Sequence, residues 1–330
     1  MRKSVSHRQR LESCLSGSTA DGVPVALWRH FPVDDQHPDS LARAHVNYQK
    51  TYDFDFLKVT PASSYMAKDW GVLDQWRGAT EGTREYTHRV INVPEDWEKL
   101  TVLEPRQGNL GMTLDALRMI TKELGAETPV IQTIFSPLSQ AKNLVGREKL
   151  MVHLRRYPDA VHHGLRIIAE STRRYIEAAR ETGIAGIFYA VQHAQYGLLT
   201  TNEYEEFGRF YDMQVLEPAS DLWLNVLHLH GEDVMFSRFV DYPVAIINWH
   251  DQETAPDLGE AKGLFRGVLC GGLQREHSMV LGTPEQILEE AKRAISITAA
   301  ERLVLGTGCV VPIHAPYGNL LAARQSVDLF

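Results

Sequence analysis

The feature that most constrains the fold is a repeated alternation between short apolar runs and amphipathic helical patterns. Eight runs are rich in β-branched and other apolar residues and have turn-forming residues around them. They cover residues 23–28, 54–60, 129–135, 184–191, 222–229, 244–249, 267–272 and 302–305. Most of these runs are continuously apolar, which is typical of parallel strands that are covered on both faces.

Helical patterns separate the apolar runs and complete the alternation. The last of them begins with Thr283 as N-cap, Pro284 at the first helical position and Gln286 at the capping-box spacing. Strands that alternate with helices indicate a parallel sheet, and eight of them predict a (β/α)8 TIM barrel. An open doubly wound sheet is the alternative. No GxGxxG motif opens a helix after the first strand. This absence argues against an open sheet of the dinucleotide-binding type.

One long segment, residues 69–111, fits no strand–helix unit. It contains Trp70, Trp76 and Trp97 among many charged residues. We interpret it as a long insertion after the second strand that covers the mouth of the barrel and turns some of its aromatic residues to the rim. Since the sequence has no repeat, low-complexity tract or linker, we expect a single domain over residues 1–330.

Composition narrows the class of protein. The chain has 330 residues, which is enough for one barrel, and a net charge of -8, which argues against nucleic-acid binding. Three scattered cysteines do not form a disulfide framework and indicate a reducing compartment. The polar N-terminus lacks an apolar h-region, and no apolar run approaches the length of a membrane span. We therefore expect a soluble cytoplasmic protein that acts on small molecules.

Polar side chains at the carboxyl ends of the predicted strands are the candidates for catalysis and binding, because barrel enzymes build their active sites there. Five of the 14 histidines fall at this predicted rim, more than chance would give. The rim candidates are Arg29, His30, Lys58, Thr60, Ser136, Gln192, His193, His228, His230, Asn248, His250, Asp251, Gln274 and Cys309.

The most specific local pattern is His228-Leu229-His230-Gly231. On a strand, residues two apart point to the same side, so both imidazoles face one way. Two histidines and one cysteine form a known catalytic zinc ligand set, and Cys309 in a Gly-Thr-Gly-Cys turn is able to supply the third ligand. Alternatively, the histidines bind substrate carboxylates and Cys309 is a small buried hydrophobe.

Two basic side chains at the rim each allow two interpretations. Arg29 has the shape for bidentate binding of a carboxylate or phosphate, or it forms a rim salt bridge with Asp34 or Asp35. Lys58 lies in a largely apolar strand. It either points inward, where it needs a partner and has a lowered pKa, or it extends outward between helices.

We assign roles to the remaining rim residues from their positions at the carboxyl ends of the predicted strands. His250 and Asp251 form a possible acid–base pair, although Asp251 could instead cap a helix and leave His250 in solvent. We assign substrate binding to six residues, which are Arg29, His30, Lys58, Gln192, His193 and Asn248.

A series of motifs spread over nearly the whole chain resembles the uroporphyrinogen decarboxylase superfamily, which includes zinc-dependent corrinoid methyltransferases. Each motif is loose alone, but their order and spacing are specific, and the resemblance implies the (β/α)8 barrel. The matching stretches are VPV (23–25), PVIQTIFSPLSQAKNLVG (129–146), LHLHG (227–231), IINWHD (246–251), VLCGGL (268–273), GTGCVVP (306–312) and PYGNL (316–320).

The decarboxylase branch resembles this chain least at its catalytic positions. Those enzymes carry an arginine-rich loop after the first strand, of which only Arg29 is kept here. Their aspartate after the second strand, which holds pyrrole NH groups, has no match near residues 58–62. Their tyrosine, serine and histidine fall near Lys142, near Gln192 and at Gly308. The resemblance therefore argues against the standard decarboxylase mechanism.

The methyltransferase branch resembles the chain differently. It has a His-x-Cys-Gly motif after the fifth strand and a later cysteine, and these bind zinc. His228 and Cys309 match that pattern, and His230 replaces the first cysteine. The resemblance implies zinc-assisted methyl transfer between a small methylated substrate and a corrinoid carried by a partner protein. His228, His230 and Cys309 would then hold the metal.

Within that interpretation, His250 or Asp251 would move a proton, and Arg29 and Gln192 would orient the substrate. Two alternatives remain open. The first is decarboxylation of a porphyrinogen or another polycarboxylate without a metal, in which Arg29, His30 and His228 bind carboxylates. The second is a non-catalytic barrel that binds a small molecule.

Overall fold

The computed structural model describes residues 5–18 and 22–326 of the chain. The strands are β1 (Leu57–Val59), β2 (Leu73–Gln75), β3 (Glu85–His88), β4 (Val130–Phe135), β5 (Gly186–Val191), β6 (Val226–Leu229), β7 (Ile246–Trp249), β8 (Val268–Leu273) and β9 (Leu303–Thr307). The helices are α1 (His7–Ser16), α2 (Pro38–Tyr52), α3 (Tyr65–Lys68), α4 (Gly108–Leu124), α5 (Pro137–Val145), α6 (Arg147–Arg156), α7 (Pro158–Arg180), α8 (Thr201–Tyr204), α9 (Phe210–Leu216), α10 (Leu258–Leu264), α11 (Pro284–Thr298) and α12 (Tyr317–Gln325).

Seven of the strands form one parallel sheet in the order β1-β4-β5-β6-β7-β8-β9. Every residue of these seven strands is buried, because helices cover the outer face and packed side chains fill the inner face. The continuous apolar runs in the sequence are explained by this double burial. The prediction of an α/β fold with a parallel sheet is confirmed, and the sheet is curled.

The segment predicted as the first strand, residues 23–28, is not a regular strand, so the prediction of eight regular strands is wrong here. Its one ladder bridge pairs Val25 with Leu305 of β9. On the other side, Val25 accepts a hydrogen bond from the Asp55 amide and donates to Asp55 Oδ2. Pro24 has no N–H to donate to a ladder, which shortens the pairing. The segment thus bonds to both edges of the curled sheet.

Neighbouring residues of a strand point to opposite sides of the sheet, and β5 illustrates the result. Phe188 faces the inside, where its ring stacks on that of His228. Tyr189 faces outward, and its hydroxyl donates to Asp212 of α9. The inside of the curl therefore carries the candidate site, whereas the outside anchors helices.

Residues 69–111 contain the antiparallel pair β2–β3, a 3-10 turn over Pro94–Lys99 and the first residues of α4. Trp97 from this segment is fully buried and packs against Gly164 of α7, where an added Cβ would lie 2.3 Å from the indole. Its Nε1 donates to His153 Nδ1 at 3.0 Å. This tryptophan therefore fixes the segment to the helices.

The longest helix, α7, has 23 residues and one buried side, as expected of a helix that packs on a sheet. Its other side carries arginine and glutamate residues that pair with each other and with neighbouring helices. No helix in the described part of the chain combines the length and the apolar character needed to cross a membrane.

Candidate metal centre

The ends of two neighbouring strands bring four predicted rim residues together. In the register of β6 and β7, His228 pairs with Asn248 and Leu229 pairs with Trp249. His230 directly follows β6 and His250 directly follows β7. These two residues therefore lie side by side at the carboxyl edge of the sheet.

Four side chains, His228, His230, His250 and Cys309, form what we call the His/Cys cluster. Cys309 Sγ lies 3.7 Å from His228 Nε2 and 3.7 Å from His230 Nδ1, and His250 Nε2 lies 3.3 Å from His230 Nδ1. One donor atom from each residue lies within 4.8 Å of all the others. Tetrahedral bonds of about 2.0–2.3 Å would separate ligand atoms by about 3.3–3.8 Å, and the three separations given above lie in this range.

Asn248 fixes the orientation of His228. Its amide nitrogen donates to Cys270 O at 2.8 Å and to Thr307 O at 3.0 Å. The amide oxygen therefore accepts from His228 Nδ1, 2.7 Å away, and the Nε2 lone pair faces Cys309. Asn248 is fully buried and does not line the pocket, so its contacts support a role in positioning this imidazole. The substrate-binding role that the sequence analysis assigned to it stays a prediction.

Glu253 orients the imidazole of His250 in the same way. Its Oε2 lies 2.9 Å from His250 Nδ1, so the imidazole donates outward and turns Nε2 toward the cluster. Arg275 pairs with the other carboxylate oxygen and also with Glu81 of segment 69–111. Sequence reasoning missed Glu253, although its position three residues after a rim histidine was an available signal.

The electrostatics of the cluster favour the ligand forms of Cys309 and His228 but not of His250. Burial lowers the pKa of His250, but Cys309 and Glu253 outweigh it and raise this pKa to about 9. Burial opposes ionisation of Cys309, but three imidazoles around Sγ outweigh it and hold the pKa of the thiol well below its ordinary value. Burial lowers the pKa of His228, against the opposing effect of Cys309. A thiolate and neutral imidazole nitrogens are the forms that coordinate a metal.

Backbone contact sets the distance between Cys309 and its neighbours. At Gly308 an added Cβ would lie 2.6 Å from His250 Cα and 2.8 Å from Trp249 O. Only glycine lets the turn after β9 lie this close to the end of β7. The Gly-Thr-Gly-Cys sequence thereby brings Sγ to the imidazoles.

A pocket with an accessible volume of about 80 Å³ opens onto the cluster. His228, His230 and Cys309 line it, whereas His250 backs them from behind. Three aromatic side chains form apolar walls and three predicted substrate-binding residues supply polar groups. These six residues are Trp28, Phe135, Phe188, His30, Lys58 and Gln192.

The polar residues of the pocket have unused hydrogen-bonding capacity. His30 Nδ1 and Gln192 Oε1 are buried and have no hydrogen-bond partner. Burial lowers the pKa of Lys58 to about 7, with a smaller opposing effect from Cys309. These three side chains are therefore able to bind polar groups of a ligand.

Three other predicted site residues lie outside the pocket lining. Arg29 donates to the Ile313 carbonyl at 2.9 Å. The carboxylate of Asp251 accepts from the Gly272 amide at 2.9 Å, near the carboxyl end of β8. His193 is buried with Nδ1 unpaired. Their positions favour structural contacts over contact with substrate.

Segment 69–111 reaches the pocket through polar residues. Glu81 and Thr83 line its mouth, and none of the aromatic residues of the segment does so. Arg275 ties Glu81 to the rim. The segment thus contributes to the mouth, but by an ion pair and a hydroxyl group and not by the aromatic contacts that the sequence suggested.

A curled parallel sheet with polar side chains at its carboxyl edge defines a class of α/β proteins that includes many enzymes. Within that class the family is shown by the sequence. The sequence model of the uroporphyrinogen decarboxylase (URO-D) family matches residues 7–329, and the chain belongs to this family.

Two relatives differ in activity. Methylcobamide:CoM methyltransferase MtbA of Methanosarcina acetivorans is 24% identical over 236 residues, which are 70% of this chain and 67% of that protein. Uroporphyrinogen decarboxylase of Salmonella typhimurium is 29% identical over 133 residues, which are 38% of this chain and 37% of that enzyme. Both activities therefore occur among proteins that are similar to this one.

A solved structure shares the fold over nearly its whole length. A methyltransferase from Methanosarcina mazei superimposes with a TM-score of 0.86 at 19% sequence identity, and the match covers 99% of each chain. At this identity the likeness shows the fold alone.

Proposed function

We propose that this chain is a divergent methyltransferase of the URO-D family. It would catalyse zinc-assisted methyl transfer between a small methylated substrate and a corrinoid that a partner protein carries. The observation that carries the proposal is the convergence of three imidazoles and one thiol at the spacing of a zinc site, beside a pocket. The similarity to a methylcobamide:CoM methyltransferase supports the same reaction class.

In this proposal His228, His230 and Cys309 hold the metal, and His250 supplies a fourth nitrogen. His250 does not line the pocket, which favours a ligand role for it over proton transfer to substrate. A bound zinc ion would polarise the atom that carries the methyl group, or lower the pKa of an acceptor thiol. Asn248 and Glu253 keep their imidazoles in the orientation that the metal needs.

The rest of the pocket would bind and orient the substrate. Trp28 and Phe188 provide apolar walls that exclude water from the transferring methyl group. Gln192 Oε1 is free to accept a hydrogen bond from the substrate. Burial lowers the pKa of His30 to about 3, so this imidazole stays neutral and is suited to hydrogen bonding with the substrate, not to accepting a thiol proton.

We also infer that residues 23–28 and the seven regular strands together form a closed (β/α)8 barrel. Hydrogen bonds from this segment to Leu305 on one side and Asp55 on the other support that closure. In the same view, segment 69–111 is an insertion that narrows the mouth, and the chain is one domain.

Metal analysis combined with a methyl-transfer assay tests the proposal. Protein purified without added zinc should contain about one zinc ion per chain. It should also demethylate methylcobalamin in the presence of 2-mercaptoethanesulfonate, which the cobalamin absorbance spectrum reports. The variant Cys270→Ala is the control, because Cys270 is a buried cysteine of β8 outside the cluster.

The alternatives give different outcomes in the same experiments. Conversion of uroporphyrinogen by metal-free protein would favour a decarboxylase. Protein that holds no metal and has neither activity would favour a binding protein. Either result would refute zinc-assisted methyl transfer.

A further inference from the structure

Lys58 is a buried cation inside the pocket. It lies in β1, its side chain lines the cavity, and only 4% of the residue is exposed. Its ammonium group donates to Thr60 Oγ1 at 3.1 Å and lies 4.5 Å from the ring centroid of Phe188 and 5.8 Å from that of Trp28. In the described part of the chain, no carboxylate pairs with it.

Buried Asp55 contrasts with Lys58, because it has partners of opposite charge. Asp55, which is fully buried, accepts contacts from His7 and Arg10. An ammonium ion without such a partner is strongly disfavoured in a buried site, and aromatic faces and one hydroxyl group offset only part of that penalty. Glu81, the acidic residue at the mouth, is already engaged by Arg275.

We propose that Lys58 binds an anionic group of the substrate, and that the methylated compound carries a carboxylate or a group of similar charge on an apolar body. This inference rests on the proposed function and adds the substrate class to it. A ligand anion would supply a counter-charge in addition to the partial compensation that Cys309 provides. It would leave the apolar body against the aromatic walls formed by Trp28, Phe135 and Phe188.

The layout of the pocket suits such a ligand. Lys58 lines the same cavity as His228, His230 and Cys309. The anion would anchor one end of the compound at Lys58. The methylated end is then able to reach the wall formed by His228 and Cys309.

Binding of two ligands of equal shape tests the inference. Benzoate and benzamide differ mainly in charge, and isothermal titration calorimetry measures both against the protein as purified. We expect at least about a tenfold preference for benzoate, typical of a charge-assisted contact. Lys58→Met should abolish the preference, because methionine has a similar length and no charge. Lys58→Arg should keep part of it, and provides a second test if the methionine variant does not fold.

Lys142→Met is the matched control, since Lys142 is a partly buried lysine of α5 that does not line the cavity. It should keep the preference for benzoate. A preference that survives Lys58→Met, or that is lost only in Lys142→Met, would overturn the inference.

Zinc content, measured on the same samples, separates this inference from the proposed function. Protein that holds zinc but binds both ligands equally would refute the anion site and leave the metal proposal intact. Protein that holds no zinc but prefers benzoate, with Lys58 responsible, would refute the methyl-transfer proposal and support the anion site.

Discussion

Two buried polar clusters in this molecule differ in where their polar atoms find hydrogen-bond partners. The first, which we call the tyrosine cluster, surrounds Asp212 of α9. Oδ1 accepts from Tyr189 at 2.6 Å, and Oδ2 accepts from Tyr204 at 2.6 Å and from Tyr242 at 2.9 Å. Three hydroxyl groups thus point at one carboxylate, and the arrangement is complete without any ligand.

The His/Cys cluster has hydrogen-bond partners outside the cluster on its outer side, whereas on its inner side its members contact one another. Asn248 and Glu253 engage the outer nitrogens of two imidazoles. The inner nitrogens and the sulfur face one another at 3.3 to 3.7 Å. In the proposed metal site, a cation would lie between these atoms. The comparison teaches that a closed polar network stabilises a fold, whereas an incomplete one at a pocket marks a site of function.

The largest effect that we expect comes from removing one cluster ligand. His230→Ala should release zinc and reduce methyl transfer by more than about 100-fold, since loss of a ligand exceeds the effect of losing its outer partner. Circular dichroism should show a folded protein, and metal analysis measures the loss. If this variant keeps one zinc ion per chain, the His/Cys cluster is not the metal site.

The tyrosine cluster predicts a pH dependence of stability instead. Burial raises the pKa of Asp212 to about 6, against the lowering effect of the three tyrosine hydroxyl groups. Between about pH 4 and pH 6 the folded state holds a proton that the unfolded state has lost, so stability falls as the pH rises through this window. The decrease is on the order of 3 kcal/mol.

Urea denaturation at several pH values measures that decrease. Asp212→Asn lacks the titrating group, so the difference in unfolding free energy between it and the parent chain should change across the same window. Its zinc content should not change. A difference that is independent of pH would contradict the assigned titration.

A smaller effect is expected from the residue that orients His228. Asn248→Ala should weaken zinc binding by about 10–100-fold, because the imidazole loses its outer hydrogen bond. Asn248→Asp keeps an acceptor for His228 Nδ1 and should bind zinc more tightly than the alanine variant. Competition with a chromophoric chelator measures both affinities, and equal values would remove Asn248 from this role.

The smallest effect should come from one hydroxyl group of the tyrosine cluster. Tyr204→Phe leaves Asp212 with two of its three donors and should lower the free energy of unfolding by about 1.5 kcal/mol. Tyr196→Phe is the control, because 48% of Tyr196 is exposed. Zinc content should stay constant in both variants, and a loss of zinc in Tyr204→Phe would show that the two clusters are coupled.

Much of the fold was predictable because burial on both faces of a parallel strand leaves a strong sequence signal. The run at residues 184–191 contains β5, which spans Gly186–Val191. The run at residues 23–28 carries the same apolar signal, yet it is not a regular strand. Pro24 limits the hydrogen bonding there, and an apolar pattern does not report on hydrogen bonds.

The site was predictable where it depends on local spacing and not where it depends on register. His228 and His230 are two residues apart, so their common direction follows from strand geometry. The proximity of His250 to His230 depends on the pairing of β6 with β7, which the sequence does not specify. The tyrosine cluster was not anticipated for the same reason, since its members meet only after α9 packs on β5.

The contact at Gly308 has a consequence for which ion the cluster would accept. The turn that carries Cys309 lies directly against the backbone at Trp249 and His250. The distance between Cys309 Sγ and the His250 imidazole is therefore constrained by a contact of the main chain and not by flexible side chains alone. Packed backbone in a protein interior resists compression and expansion. In the proposed metal site, this fixed spacing would favour ions whose bond lengths match it and would disfavour larger ions.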